Sequence, residues 1–260
     1  MRELLPLFRQ PSHYLGCEIN SVHKDPEQVR LRWGLAFPDL YEVGMSYLGQ
    51  KILYHQLNAR SDIWAERVFA PHPEVAAVLR EHRSPLCALE SDTPIGNLDI
   101  LGFSLTHELC YTTVLFMLDL GGIPFRSSQR DASHPLLVGG GDACFNPEPI
   151  APFFDCFLVG EGEEAVLEIS QAIIRAKQES ASRLQLLRAL QGLTGVYVPG
   201  QKTEDRGQRT EDRSQKSVVS SQREEESGQW SVVGSQGEED RGQKSVVSSQ
   251  REEESGQWSV

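Results

Sequence analysis

The last sixty residues of this 260-residue chain repeat with a period of 28, and residues 215–232 recur without a change at 243–260. Such a period can indicate stacked structural repeats. Only nine of these sixty residues are apolar, so stacking would bury too little apolar surface to offset the lost chain entropy. The pattern predicts a disordered tail over 200–260, with a weak helical or β-stacked array as the alternative, and one folded domain over 1–199.

The charge of the chain excludes several classes of partner. Residues 1–200 carry 16 basic and 24 acidic side chains, and the last sixty residues carry 9 and 13, which gives net charges of −8 and −4. The basic residues form no cluster. Binding to nucleic acid or to an anionic membrane depends on such clusters. We therefore expect neither nucleic acid nor membrane as a partner.

The cysteines and the N-terminus predict a cytoplasmic protein. The five cysteines are odd in number and widely spaced, which fits neither a disulfide framework nor a CxxC metal knuckle. We expect reduced, mostly buried thiols. The N-terminal apolar stretch is too short for a secretory signal, and no apolar run approaches the length of a membrane span.

Apolar strand patterns alternate with helical patterns along residues 28–198. This alternation predicts an α/β fold of Rossmann-like or flavodoxin type, a mostly parallel sheet with helices on both faces. The predicted strands are Gln28–Phe37, Ile63–Ala70, Leu98–Leu105, Pro135–Val138 and Cys156–Val159. The predicted helices are Met45–Leu57, His72–His82, Leu109–Leu120, Glu161–Gln178 and Ser182–Gln191.

Ligands of such sheets bind beyond the carboxyl ends of the strands, and four strand exits here carry unusual residues. Glycines let a backbone approach a ligand closely, while hydroxyls, carboxylates and an aromatic ring can contact it. No residue is assigned a catalytic or metal-binding role. The candidate ligand-binding residues are Tyr41, Glu42, Gly44, Ser46, Ser104, Thr106, Glu108, Gly139, Gly140, Gly141, Gly160, Glu161 and Gly162.

Each of these groups also has a purely structural interpretation. Tyr41 and its neighbours could cap the sheet edge, Gly139–Gly141 could form a tight turn, and Ser104 or Thr106 could cap a helix with Glu108 as partner. The segment 160–165 matches G-x-G-x-x-A, but its three glutamates oppose a pyrophosphate. They could instead complement the helix dipole or accept hydrogen bonds from a neutral or cationic ligand.

Several motifs together resemble the N-terminal part of a family of large bacterial radical SAM proteins, in which a B12-binding-like domain precedes a catalytic barrel. The resemblance covers about Met1–Pro199. The motifs are HYLGCEIN (13–20), FPDLYEVGMSYLGQKILY (37–54), LESDTPIGNLDILGFSLTHELCYTTVLFMLDLGGIP (89–124), LLVGGGDACFNPEPIAPFFDCFLVGEGEE (136–164) and GVYVP (195–199). It implies cobalamin at the strand ends, and a [4Fe-4S] cluster and S-adenosylmethionine in the barrel.

Two family motifs are absent. The C-x-x-x-C-x-x-C of the barrel does not occur, and the repeats begin where the barrel should begin. The D-x-H-x-x-G that supplies an axial histidine to cobalt in B12 domains is missing as well. We therefore expect a truncated, non-catalytic module that binds cobalamin or a similar large ligand without a protein imidazole, with a barrel supplied in cis or in trans. The alternative is a structural remnant whose barrel is lost or separately encoded.

Overall fold

The computed structural model describes residues 1–200. The predicted disordered tail lies outside the described residues and stays a prediction. Within the described part, no helix is long and apolar enough to cross a membrane.

Six strands form one sheet in the order β2-β1-β3-β4-β5-β6. The first five strands are mutually parallel, and β6 pairs antiparallel with β5. The order of the parallel strands is that of a flavodoxin-like doubly wound sheet, which confirms the predicted fold class. The strands are β1 (Leu31–Phe37), β2 (Ile63–Phe69), β3 (Ile100–Ser104), β4 (Leu136–Gly140), β5 (Cys156–Leu158) and β6 (Val196–Tyr197).

Six α-helices of the described residues cover both faces of the sheet. Successive strand side chains point to opposite faces, so both faces carry apolar side chains that need cover. In β3, for example, Ile100 is buried on the face covered by α2, α5 and α6, whereas Leu101 is buried on the face covered by α3 and α4. The helices are α1 (Tyr41–Ser46), α2 (Leu48–Asn58), α3 (Pro73–Glu81), α4 (Tyr111–Leu120), α5 (Ala165–Gln178) and α6 (Arg183–Gln191).

Two predicted helix boundaries were wrong. The expected single helix over Met45–Leu57 is two helices, because Tyr47 is extended (ψ 115°) and interrupts the hydrogen-bonded ladder. The long helix begins at Ala165 rather than at Glu161, after the turn at Gly160, whose φ is +119°. Residues 161–164 therefore belong to the loop that follows β5.

The N-terminal segment ties down the β2 edge of the sheet through charged side chains. Arg67 on β2 is bound by Glu90 at 2.7 Å and by Glu18 at 2.8 Å, and all three side chains are largely buried. Lys24 donates to the carbonyl oxygens of Asn58 and Arg60, which lie at the end of α2. Because β2 is an edge strand, its outer backbone groups would otherwise be open to pairing. The N–H of Arg67 donates to Glu90 at 2.8 Å, and the carbonyl oxygen of Arg67 accepts from the N–H of Leu89, so both groups are covered.

Four of the five cysteines are buried and all five are free, as expected for reduced structural thiols. Burial raises the pKa of Cys87 to about 11 and that of Cys144 to about 12, and it also raises the pKa of Cys110 and Cys156. Only the thiolate is a good nucleophile, so burial and raised pKa both suppress reactivity.

We therefore expect one fast-reacting thiol, Cys17, when the folded chain is mixed with Ellman's reagent at pH 8. Denaturant should expose all five. The Cys17→Ser variant is the control, since it should remove the fast phase and leave the total at four. Two or more fast thiols in the folded wild type would contradict the described burial.

Candidate functional site

A cavity of about 260 Å³ lies at the carboxyl edge of the sheet, beyond β1, β3, β4 and β5. The chain runs outward from β1 to β2 on one side and from β3 to β4 on the other, so the cavity lies where the strand order reverses. Open parallel sheets bind ligands at this kind of crevice. The lining residues are Trp33, Leu35, Tyr47, Gly49, Leu53, Gly102, Phe103, Ser104, Val138, Gly140, Gly141, Asp142, Leu158, Gly160, Glu161, Gly162, Glu163, Val166 and Ile169.

Two adjacent glycines shape the wall of this cavity. A Cβ built on Gly140 would meet nothing within 4 Å, so this position leaves open space inside the cavity. Gly141 has a φ of +110°, and a Cβ there would lie 2.7 Å from the carbonyl oxygen of Leu105. The chain can therefore turn sharply out of β4 and pass close to the β3 exit only with glycine at position 141.

The indole of Trp33 forms part of the apolar lining and is held in one orientation. Its Nε1 donates to Ser170 Oγ at 2.9 Å, and that hydroxyl donates to the carbonyl oxygen of Val166 at 2.6 Å. A Cβ on Gly102 would lie 2.9 Å from the indole ring. Because the ring is buried and its polar atom is bonded, the cavity has a preformed apolar floor.

Three exposed carboxylates line the cavity, and no basic side chain does. They belong to Asp142 after β4 and to Glu161 and Glu163 after β5. Glu161 and Glu163 precede the first turn of α5, while Glu164 is its N-cap residue without a side-chain capping bond. Glu161 and Glu163 line the cavity and Glu164 does not, and ligand contact by these glutamates stays a prediction.

The structure separates Tyr41 and Glu42, which follow β1, from this cavity. Tyr41 and Glu42 line a second pocket, where the Tyr41 ring stacks on His13 with a centroid distance of 4.4 Å. Burial and the nearby Glu18 raise the pKa of Tyr41 to about 12, and its hydroxyl donates to Glu18 at 3.1 Å. Tyr41 is therefore not part of the lining of the glycine-walled cavity.

Five further candidates do not line the cavity either. Gly44 lies against Phe69, and Ser46 donates to the carbonyl oxygen of Val43. Gly139 faces the ring of Phe157 on the opposite side of the sheet from Gly140. Thr106 and Glu108 are also absent from the lining.

The helix-capping alternative for the β3 exit was wrong. The helix α4 starts at Tyr111, behind a short 3-10 turn over Glu108–Cys110, and neither start has a side-chain capping bond. The 3-10 turn adds residues between the strand and the helix, so Ser104 and Thr106 are too far from the first helical N–H groups. Ser104 lines the cavity instead.

Sequence patterns had missed the apolar members of the lining and Asp142. Trp33, Val138 and Val166 have the pattern of ordinary core residues, because an apolar strand or helix side chain looks the same whether it faces a cavity or a neighbour. Asp142 stands beside the selected Gly141, but aspartate and glycine are both common in structural turns, so the residue type alone carried little signal.

A family profile described as "Radical SAM proteins, N-terminal" matches residues 49–199, which run from α2 to β6. The chain belongs to this family. No curated protein and no solved structure matches it. The match supports the radical SAM relationship predicted from the motifs, and it ends at the last residue of GVYVP.

The radical SAM family implies an iron–sulfur cluster. Whether this N-terminal domain could hold it depends on the metal-ligating side chains that the domain offers. All cysteines of the chain lie in the described part, four of them are buried, and none shares C-x-x-x-C-x-x-C spacing. No group of three or more His, Cys, Asp or Glu side chains among residues 1–200 could hold a metal ion. The radical SAM cluster therefore does not fit the donors of this domain.

Proposed function

We propose that this radical SAM N-terminal domain binds cobalamin, or a large planar ligand of similar chemistry, over the carboxyl edge of its sheet. The observation that carries the proposal is the glycine-walled cavity at the point where the strand order reverses. Its lining combines a rigid apolar floor with a few polar groups at the mouth, as in sites for organic cofactors.

The size of the cavity sets how such a ligand would bind. A volume of about 260 Å³ lies below the range of roughly 300–1,000 Å³ that encloses a drug-sized molecule. Cobalamin is much larger, so only one part of it would enter while the rest lies over the strand exits. Gly140 and Gly160 would allow this close approach, because a side chain at Gly140 would occupy the entrance.

The chain offers cobalt no imidazole within this cavity. His107 is the histidine of the β3 exit, and it is not among the lining residues. Cobalamin would therefore bind without a protein histidine on cobalt, as the missing D-x-H-x-x-G indicates. The role of this domain would be to hold and orient the ligand, and the ligand would supply the redox and alkyl-transfer chemistry of cobalt.

Exposed apolar side chains support the radical SAM barrel as the protein partner of this edge, in cis or in trans. Leu48 after β1, Leu109 after β3 and Phe145 after β4 are 67%, 86% and 73% exposed. Apolar groups grouped on one edge are typical of a protein interface. A barrel seated here would cover them and close the cavity. A reading frame with C-x-x-x-C-x-x-C downstream of the gene would support supply in trans.

The alternative, a remnant without its barrel, predicts that these apolar side chains are exposed to solvent. With the dye ANS, we expect the fluorescence of the Leu109→Ser/Phe145→Ser variant to be lower than that of wild type by at least about half, because two exposed apolar side chains are removed. The thermal midpoint should not change, because both side chains lie on the surface. Leu184→Ser on α6, where the leucine is 52% exposed, is the control and should change the fluorescence little. Equal loss in both variants would argue against a patch at the carboxyl edge.

Hydroxocobalamin titrated into the full chain tests the main proposal. We expect a changed visible spectrum and a higher thermal midpoint, because a ligand that binds only the folded state stabilises it. If neither the spectrum nor the thermal midpoint changes at saturating ligand, the remnant is the better interpretation.

A further inference from the structure

The segments that follow β1, β3, β4 and β5 at the carboxyl edge of the sheet are acidic. The segments 38–49, 105–110, 141–150 and 159–164 contain no lysine or arginine. They contain eight carboxylates, while residues 1–200 as a whole have 16 basic side chains for 24 acidic ones. Basic side chains from other segments do reach the β1 exit, since Arg9 lines the pocket of Tyr41 and Glu42 and Arg67 contacts Met45, but none lines the cavity. The carboxylates are Asp39, Glu42, Glu108, Asp142, Glu148, Glu161, Glu163 and Glu164.

Nothing in the described residues neutralises the carboxylates at the mouth of the cavity. Asp142, Glu161 and Glu163 form no ion pair there, although other acidic residues of residues 1–200 do. Lys51, the basic residue that is closest in sequence to the four exit segments, lines a different cavity together with Arg67. The two histidines by these exits are His13, which pairs with Glu42 at 3.6 Å, and His107.

We infer that Asp142, Glu161 and Glu163 act as a charge filter, through which the cavity admits neutral or cationic groups and rejects phosphates and carboxylates. This inference rests on the proposed function, because it names the class of ligand that the proposed site admits. It concerns the electrostatic field at the cavity and not the identity of the ligand. Each carboxylate repels an anion weakly in water, and three acting together from one side should separate ions of opposite charge by about tenfold at low salt. The same repulsion explains why a segment with the G-x-G-x-x-A spacing would not hold a dinucleotide.

A cysteine placed inside the cavity measures this field without any natural ligand. Gly140→Cys puts a thiol into open space, and Cys17→Ser removes the exposed native thiol. The rates of reaction with a trimethylammonium thiosulfonate and with a sulfonate-bearing thiosulfonate are then compared. A negative field also raises the thiol pKa, which slows both reagents alike, so the ratio of the two rates reports the charge filter itself.

We expect the ratio of cationic to anionic rates at Gly140→Cys to exceed that of free mercaptoethanol about tenfold, and to fall to within about threefold of it in 0.5 M salt. Asp142→Asn/Glu161→Gln/Glu163→Gln should lower the ratio similarly, whereas the remote Glu27→Gln/Glu81→Gln/Glu179→Gln should not. Leu184→Cys gives the ratio for an exposed helix position. A ratio equal to that of mercaptoethanol, or one unaffected by removing the three carboxylates, would overturn the inference.

Corrinoids of matched shape provide a second measurement. Cyanocobalamin, its derivative with one free propionate, and the aminoethyl amide of that propionate differ mainly in charge. The affinity should fall from cation to neutral to anion, by about threefold per unit charge at low salt, and the order should vanish in the variant without the three carboxylates. If no corrinoid binds, the proposed function fails, while the thiosulfonate ratio still decides on the charge filter.

Discussion

Gly140→Leu is expected to weaken hydroxocobalamin binding at least about thirtyfold while leaving the thermal midpoint of the free chain within a few degrees of wild type. The backbone at Gly140 needs no positive φ, and its Cβ would meet nothing within 4 Å, so leucine should fold there without strain. Its side chain would fill the cavity that the ligand has to enter. Loss of about 2 kcal/mol of apolar contact corresponds to this change in affinity. Spectroscopic titration at fixed salt measures it.

A graded series separates blocking of the cavity from general damage. Gly140→Ala removes less volume and should bind with an affinity between those of wild type and Gly140→Leu. Ala189→Leu adds a large side chain at an exposed position of α6 and should bind like wild type. Wild-type affinity in Gly140→Leu would place the ligand elsewhere on the domain.

Asp155→Ala is expected to lower the free energy of unfolding by about 3–5 kcal/mol, the largest loss we predict for a single substitution. The Asp155 carboxylate is 2% exposed and accepts hydrogen bonds from Arg130, from Arg183 at 2.8 Å and from the backbone N–H of Leu137 at 2.8 Å. Without it, the guanidinium of Arg130, which has no exposed area, keeps its charge but loses its carboxylate. Urea unfolding followed by circular dichroism measures the loss.

Two comparisons show that burial causes this effect. Asp119→Ala removes an ion pair with Arg80 of similar length, 2.7 Å, but both side chains are about half exposed, so we expect a loss below about 1 kcal/mol. Asp155→Asn keeps acceptor geometry and should fall between the two. Since Asp155 precedes β5 and the cavity follows it, Asp155→Ala at a temperature where it is folded should still bind hydroxocobalamin. Equal losses in Asp155→Ala and Asp119→Ala would contradict the argument.

The sheet was predictable because its strands are buried on both faces. Strands such as β3 read as short apolar runs between turn residues, and that signal depends only on local composition. The interruption at Tyr47 and the late start of α5 carried no such signal, since a residue between helical neighbours can adopt either backbone conformation. The antiparallel pairing of β6 also depends on which strand edge remains free.

The candidate site was predictable only where backbone requirements are visible in the residue type. Gly141 and Gly160 have positive φ, and Gly140 leaves open space, so glycine was informative at these positions. Tyr41 and Glu42 had the right residue types and follow a strand, yet they line a different pocket. The side chain of Trp33 was ambiguous, because core and cavity positions have the same apolar composition.

The sequence by itself determined the α/β class and the acidic, glycine-rich character of the strand exits. Those properties are local, because hydrophobic periodicity and residue type need no partner to be recognised. Tertiary structure alone decided which exits share a cavity. The strand order places the exits of β3, β4 and β5 together with Trp33 of β1, and α1 directs Tyr41 elsewhere. Convergence of distant segments depends on how strands pair and helices pack, and the one-dimensional pattern does not contain that information.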